Sequence, residues 1–259
     1  TASTRLSDFL AGLLSKLALL IILRLLLLIF HQPEATQVLL ILGILGVVSG
    51  ELAAWRAKEL RRMLAFSSIG QLGVMFIAMA LPDGAGVLAV LALAIHHLII
   101  KSGLFMLAED WGGAIQRLRG SAKMAPLGAA LFVLFSLSLV GMPPLPGFWA
   151  KFTLITELAG QSEPLYLIGL AVFLLATVIE ASYLFRVAAI LYQDAPRETL
   201  DHEIPKNEGL SLVTATLFGA GLIAAAVMIA PVGDSLNTIA VQVQDIDLYI
   251  STVNPGGSQ

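Results

Sequence analysis

The sequence predicts an all-α integral membrane protein with seven transmembrane helices, one of them interrupted by prolines, and an amphipathic C-terminal helix. Of the 259 residues, 58% are hydrophobic and only 13% are charged, which is about half the charged share of a soluble domain. At roughly 20 apolar residues per span, this length accommodates seven helices and short loops. Cys is absent, which excludes disulfides, thiolate nucleophiles and Cys-ligated metal clusters in this chain.

The predicted helices are apolar runs separated by turn signals. Pro82-Asp83-Gly84 marks one turn, and the segment 161–164, which ends in a proline, marks another. The predicted spans are 7–30, 37–55, 64–81, 85–109, 126–158, 165–192 and 209–232. The end of the seventh span divides the chain into a transmembrane domain, 1–232, and a segment with an amphipathic helix and a disordered tail, 233–259.

The fifth predicted span is too long for one straight helix and contains a cluster of prolines. Pro143, Pro144 and Pro146 each remove a backbone donor, so the helix must open there. A break of this kind is tolerated at membrane depth only where it faces protein or a watery cavity.

After Gly233, apolar residues recur at helical spacing with Asp and Gln between them. This pattern is typical of a helix that lies along a membrane surface or a partner. The apolar positions are Leu236, Ile239, Ala240, Val243, Ile246 and Ile250.

The basic residues predict the orientation of the chain. Five of the 15 Lys and Arg residues fall within predicted spans, which leaves ten. With seven spans, all ten lie on the side of the N-terminus, so we expect an inner-membrane protein with a cytoplasmic N-terminus and an external C-terminus. The ten are Arg5, Arg56, Lys58, Arg61, Arg62, Arg117, Arg119, Lys123, Arg197 and Lys206.

Four charged residues within predicted spans are candidates for proton transfer. Lys16, Lys101, Lys151 and Glu180 lie on four different helices, and a charge at mid-membrane costs roughly 2.5–3.5 kcal/mol. His97 precedes Lys101 by four residues, so both share one helix face. Histidine is suited to relay protons between two such groups, and His97 is therefore the fifth candidate.

Each candidate also has a structural interpretation. The three lysines can extend to the lipid headgroups, and Glu180 can serve only as a partner for a lysine. His96 points away from the Lys101 face and is expected to make an interhelical hydrogen bond, while Arg24 and Arg186 are expected to anchor or pair. Ser67, Ser68 and Gln71 either line a polar path or form interhelical hydrogen bonds.

Four motifs resemble the antiporter-like subunits shared by respiratory complex I, Mrp-type cation/proton antiporters and membrane-bound hydrogenases. LAGLLSK at 10–16 is similar to the family's eighth helix with its central lysine. KELRRMLAFSSIGQ at 58–71 resembles the basic connector that opens the tenth helix, and HLIIKSGLF at 97–105 resembles the histidine–lysine pair of the eleventh. GMPPLPGFWAKF at 141–152 resembles the broken twelfth helix.

The resemblance implies the second inverted repeat of a fold of about fourteen helices. It implies that Lys16 is a bridging lysine, that Lys101 and His97 continue a polar axis, and that Lys151 exchanges protons with the other side. Some branches carry a second histidine where this chain has Leu93, and the resemblance assigns no role to Glu180. The groups of the first repeat would come from a partner chain or from further sequence.

The leading hypothesis is a proton- or cation/proton-translocating subunit of a redox-driven pump or antiporter, such as an NADH-quinone oxidoreductase. The chain has no dinucleotide fingerprint or P-loop, so we expect no redox chemistry and no cofactor in it. Quinone, flavin or iron–sulfur clusters would belong to partner subunits. Expected partners are other membrane subunits and lipids, not nucleic acid. A non-conducting structural subunit is the alternative; a retinal protein is disfavoured because its last helix would need a lysine.

Overall fold

Regular structure in the computed structural model is helical, apart from one isolated bridge between Glu59 and Ala114. The structure describes residues 4–29, 32–194, 209–246 and 252. Short 3-10 turns at Pro82–Gly84 and Ile115–Leu118 join longer elements. The α-helices within these residues are α1 (Thr4–Leu28), α2 (Pro33–Arg56), α3 (Leu60–Met79), α4 (Val87–Trp111), α5 (Ser121–Met124), α6 (Pro126–Val140), α7 (Pro146–Ala159), α8 (Pro164–Tyr192), α9 (Leu210–Val227) and α10 (Ile229–Gln244).

Five of these helices, α2, α3, α4, α8 and α9, are long and apolar enough to cross a membrane by length and composition. They correspond to the second, third, fourth, sixth and seventh predicted spans. The first predicted span corresponds to α1, which has 25 residues. The fifth corresponds to α6 and α7, which have 15 and 14 residues. At about 1.5 Å per residue, α6 alone and α7 alone are each shorter than the roughly 30 Å hydrocarbon core.

The predicted break in the fifth span is confirmed. Helix α6 ends at Val140 and α7 begins at Pro146. Between them Gly141 has a φ of +93°, a left-handed conformation that glycine adopts without steric cost at a helix end. The Pro143–Pro144 peptide bond is cis. The two half-helices therefore follow each other in sequence without forming a continuous hydrogen-bonded rod.

Helices α2 and α3 pack with their backbones in close approach. A Cβ on Gly43 would lie 2.8 Å from the Gly73 carbonyl oxygen, and one on Gly46 would lie 3.3 Å from the Gly73 Cα. A Cβ on Gly50 would overlap the backbone of Gly70. Small residues at such positions let two membrane helices approach closely.

The apolar core forms two clusters, one toward each end of the helix bundle. On α2 the first cluster includes Val47 and the second includes Ala54. On α8 the first cluster includes Ala176 and the second includes Leu184. Buried polar residues, among them His97 and Glu180, lie in sequence between the parts of α4 and α8 that belong to the two clusters.

The C-terminal amphipathic helix begins at Ile229, four residues before the predicted boundary at 233. Helix α9 ends at Val227 because the ring of Pro231 would clash with the Val227 carbonyl in a continuous helix. Ala240 is 2% exposed, and Leu236 packs partly buried against the first apolar cluster. Helix α10 therefore docks on the bundle through its apolar face; Ile250 of the predicted pattern lies outside the described residues.

The close approach of α2 and α3 predicts that Gly50→Ala destabilises the protein. The added Cβ would lie 2.7 Å from the Gly70 Cα and 2.9 Å from the Phe66 carbonyl oxygen, and overpacking costs about 1–3 kcal/mol. We expect a lower thermal unfolding midpoint in detergent, followed by circular dichroism. The matched control is Gly221→Ala in α9, whose Cβ would have no atom within 4 Å. Equal midpoints for the two variants would contradict the packing.

Candidate functional site

A layer of buried polar side chains separates the two apolar clusters. Its members come from α1, α2, α3, α4, α6, α7 and α8, and none is more than 7% exposed. We call this set the polar layer. It consists of Lys16, Glu51, Ser67, Gln71, His96, His97, Lys101, Ser138, Lys151, Glu180 and Tyr183.

Lys151 and Glu180 form a buried ion pair in the polar layer. The Lys151 Nζ lies 2.7 Å from the Glu180 Oε2, and Gln71 donates from its Nε2 to the Glu180 Oε1 at 2.9 Å. The lysine also donates to the carbonyl of Val140, the last residue of α6, at 3.3 Å. That carbonyl is at the negative end of a half-helix. Both charges therefore have polar partners from four different helices.

The amine of Lys101 is held by α3. It donates to the Ser67 Oγ at 2.7 Å and to the Leu64 carbonyl at 3.1 Å. Gly103 lies two residues after Lys101 on α4, and a Cβ on this glycine would lie 2.5 Å from the ring of Phe135 on α6. The neighbouring helix α6 thus fills the space that Gly103 leaves.

Lys16 and His97 are buried but less completely bonded. The Lys16 Nζ and the His97 Nε2 have no hydrogen-bond partner within the part of the chain that the structure describes. Coulombic interactions connect His97 to both Lys16 and Lys101. These three groups, on α1 and α4, therefore lie close enough to act on one another. None of the three lysine side chains extends to the protein surface, since each is 4–6% exposed.

The sequence interpretation missed Glu51, which is 2% exposed on α2. Tyr183 on α8 donates its hydroxyl to the Glu51 Oε2 at 2.9 Å. Coulombic interactions also link Glu51 to Glu180, Lys101 and Lys151. A signal was available, because Glu51 is the only charged residue of the predicted span 37–55. Its position five residues before Arg56 made it look like a residue of the helix end.

Several other polar residues link helices, as predicted. His96 and Ser138 share a hydrogen bond of 2.9 Å between α4 and α6. Arg186 donates to the Trp55 carbonyl at 3.1 Å, and Arg24 donates to the Val243 carbonyl at 3.0 Å. These contacts have a structural role: they connect α8 to α2 and α1 to α10.

Comparison with known proteins identifies related sequences. The sequence model of the family described as NADH:quinone oxidoreductase/Mrp antiporter, TM, matches residues 1–180. The NADH-quinone oxidoreductase subunit N of Parvibaculum lavamentivorans is 30% identical over 213 residues, 79% of this chain and 43% of the relative. The same subunit of Rhodospirillum rubrum is 32% identical over 178 residues, 66% of this chain and 36% of the relative. The chain therefore spans less than half the length of these curated relatives.

Solved structures share the fold. A chain of the Mrp complex from Dietzia sp. DQ12-45-1b matches with a TM-score of 0.80 and 22% identity, over 93% of this chain and 54% of that one. A chain of the membrane-bound sulfane sulfur reductase, an archaeal respiratory complex, matches with a TM-score of 0.72 and 26% identity, over 85% and 45%. A chain of respiratory complex I from Thermus thermophilus matches with a TM-score of 0.64 and 27% identity, over 79% and 46%.

No group of three or more metal-ligating side chains suited to hold an ion occurs within residues 4–29, 32–194, 209–246 and 252. The polar layer contains amines, carboxyls, imidazoles and hydroxyls, which are groups that can bind and release protons.

The buried ion pair predicts that Glu180→Gln destabilises the protein. Removing one partner leaves the Lys151 charge buried and unpaired, which costs about 3–5 kcal/mol. We expect a clear fall in the thermal unfolding midpoint measured in detergent. The control is Asp194→Asn, which breaks a 2.6 Å pair with Lys123 whose side chains are 74% and 87% exposed, and which we expect to change the midpoint little. If Glu180→Gln lowers the unfolding midpoint no more than the control does, the buried pair does not stabilise the protein.

Proposed function

The chain belongs to the NADH:quinone oxidoreductase/Mrp antiporter family of transmembrane proteins, and we propose that it is a proton- or cation/proton-translocating subunit of a multisubunit redox-driven pump or antiporter. The observation that supports this proposal is the polar layer, whose buried members include Lys16, His97, Lys101 and the Glu180–Lys151 pair. Three buried lysines on three helices supply more positive charge than one structural pair requires. The ions would move along this row of side chains and the water between them.

A change of partner is the step that lets a buried lysine load and release a proton. A neighbouring carboxylate favours the ammonium form, and desolvation without it favours the neutral amine. In the structure Glu180 is paired with Lys151 and also interacts electrostatically with Lys101. Movement of this carboxylate between the two lysines would bind a proton at one and free a proton at the other. His97, beside Lys101, would pass protons toward Lys16.

Seven membrane crossings and a cytoplasmic N-terminus complete the proposal. In this arrangement α1 and the α6–α7 pair cross the membrane together with the five long apolar helices, as the second inverted repeat of an antiporter-like fold. The arrangement of the connectors supports it, because Ile115 donates its backbone N–H to the Lys58 carbonyl at 2.9 Å. The basic segments before α3 and after α4 therefore meet at one end of the bundle, which we call the basic end. The positive-inside rule assigns this end to the cytoplasm of a bacterial inner membrane.

Other membrane subunits would complete the assembly. The relatives are named as subunits of an NADH-quinone oxidoreductase, and the similar structures are Mrp, complex I and sulfane sulfur reductase complexes. The remaining part of the antiporter-like fold would come from a partner chain or from further sequence. Any quinone, flavin or iron–sulfur cluster would be bound by partner subunits. Co-purifying iron–sulfur subunits would identify a redox complex, and an assembly without them would identify an antiporter.

We expect Lys16→Ala or Lys151→Ala alone to lower coupled ion transport by about tenfold or more, because a missing proton-transfer group typically costs at least this factor. The measurement is proton movement in sealed vesicles that contain the whole complex, followed with a pH-sensitive dye. Lys123→Ala is the matched control, since this lysine is exposed and lies outside the polar layer.

The same experiment tests the alternative of a non-conducting structural subunit. The observation that favours this alternative is that Glu180 is fully bonded, by an ion pair with Lys151 and a hydrogen bond from Gln71. It requires that simultaneous replacement of Lys16, Lys101 and Lys151 leaves transport at the level of the Lys123→Ala control once equal assembly has been verified.

A further inference from the structure

Glu51 is a buried carboxyl that the proposed route from Lys16 to Lys151 does not use. It lies five residues before the end of α2, and its partner Tyr183 lies nine residues before the end of α8. At about 1.5 Å per residue, the pair is one to three helical turns from the basic end. Within the described residues Tyr183 is the only hydrogen-bond donor to this carboxyl, and no ion pair reaches it. Such a group is costly to bury when charged, so binding a proton relieves the cost.

A cavity of about 590 Å³ lies at the basic end, and two of its lining residues are within about one helical turn of this pair in sequence. Trp55, which lines it, follows Glu51 by one turn on α2, and Arg186, which also lines it, follows Tyr183 by three residues on α8. Arg186 donates to the Trp55 carbonyl at 3.1 Å and so joins α8 to α2 beside the cavity. The remaining lining residues are Arg56, Ala57, Lys58, Ala114, Ile115 and Gln116.

On its other side the pair adjoins the polar layer through Ser67. The Ser67 hydroxyl is fully buried and lies 2.7 Å from the Lys101 Nζ. It also interacts with the Tyr183 hydroxyl. A hydroxyl can both donate and accept a proton, so these two hydroxyls are suited to relay protons between the Glu51 carboxyl and the Lys101 amine.

We propose that Glu51 is a proton-binding residue through which protons pass between the cavity at the basic end and Lys101, with the Tyr183 and Ser67 hydroxyls as the relay between Glu51 and Lys101. The proposal rests on the proposed function. A proton from the cavity converts the Glu51 carboxylate to the acid. Tyr183 and Ser67 each accept one proton and pass one on, the neutral Lys101 amine becomes an ammonium, and Glu51 returns to the carboxylate. The charged groups that face Glu51 are Lys101, Lys151 and Glu180.

The decisive variant is Glu51→Gln in the intact complex. Glutamine has nearly the same size and keeps an oxygen that accepts from Tyr183, so it preserves the contact and removes only the proton-binding carboxyl. The matched control is Glu34→Gln, the same substitution at an exposed position of the same helix. We expect Glu51→Gln to lower coupled proton transport in sealed vesicles about tenfold or more, and the control to leave it unchanged.

Two further measurements separate proton binding from a structural role. Glu51→Asp retains a carboxyl and should restore at least half of the transport, with a shifted pH profile, whereas a structural position leaves the profile in place. Infrared difference spectra of the working complex should contain a carboxyl band that Glu51→Gln removes and Glu34→Gln retains. If Glu51→Gln fails to assemble, the pH profile of Glu51→Asp decides, and an unshifted profile overturns the proposal.

Lys151→Ala measured in the same vesicles distinguishes the two proposals. Loss of transport in both Lys151→Ala and Glu51→Gln supports both. Loss in Lys151→Ala with normal transport in Glu51→Gln overturns the role of Glu51 and leaves the proposed function standing. Normal transport in both overturns the proposed function and the role of Glu51 with it.

Discussion

The free-energy cost of taking charge out of water is the constraint on which the rest of this structure depends. One unpaired charge at mid-membrane costs roughly 2.5–3.5 kcal/mol, and this bundle buries three lysines and two glutamates. The Lys151–Glu180 pair meets that constraint with groups from α7 and α8, the Gln71 amide of α3 and the Val140 carbonyl of α6. Four helices must therefore approach one point. The two apolar clusters on either side are packed around that meeting point.

The proline-rich break makes this meeting point possible because it ends a helix inside the bundle. The residue four positions after Val140 is Pro144, which has no backbone N–H, so the Val140 carbonyl has no helical donor and is available to Lys151. Two features of the structure require glycine at position 141. Its φ of +93° disfavours any side chain, and a Cβ there would lie 3.2 Å from the Cδ of the Lys151 stem. The break and the lysine five residues after Pro146 thus act as one unit.

The sequence was sufficient to predict what depends on local chemistry and insufficient for what depends on helix rotation. Prolines fixed the break between α6 and α7, and apolar length fixed the long helices. No sequence pattern predicts the contact between Gln71 and Glu180, because that contact depends on how α3 and α8 face each other. Glu51 was missed for the same reason: its burial follows from the position of Tyr183, 132 residues away. Helix α10 begins at Ile229, before Gly233, because Pro231 interrupts the helix that precedes it.

Lys16 differs from the other two lysines, and the difference has a consequence for the proposed route. Its Nζ has no hydrogen-bond partner within the described residues, while Leu14, Leu17 and Ile21 around it on α1 are 49–61% exposed. The polar layer therefore includes a lysine on α1, a helix whose neighbouring apolar side chains are exposed. A proton at Lys16 would act across α1 on whatever packs against that helix, because two charges interact strongly in a medium of low dielectric constant. Under the proposed function, α1 is the helix through which the charge state of this chain is transmitted to a neighbour.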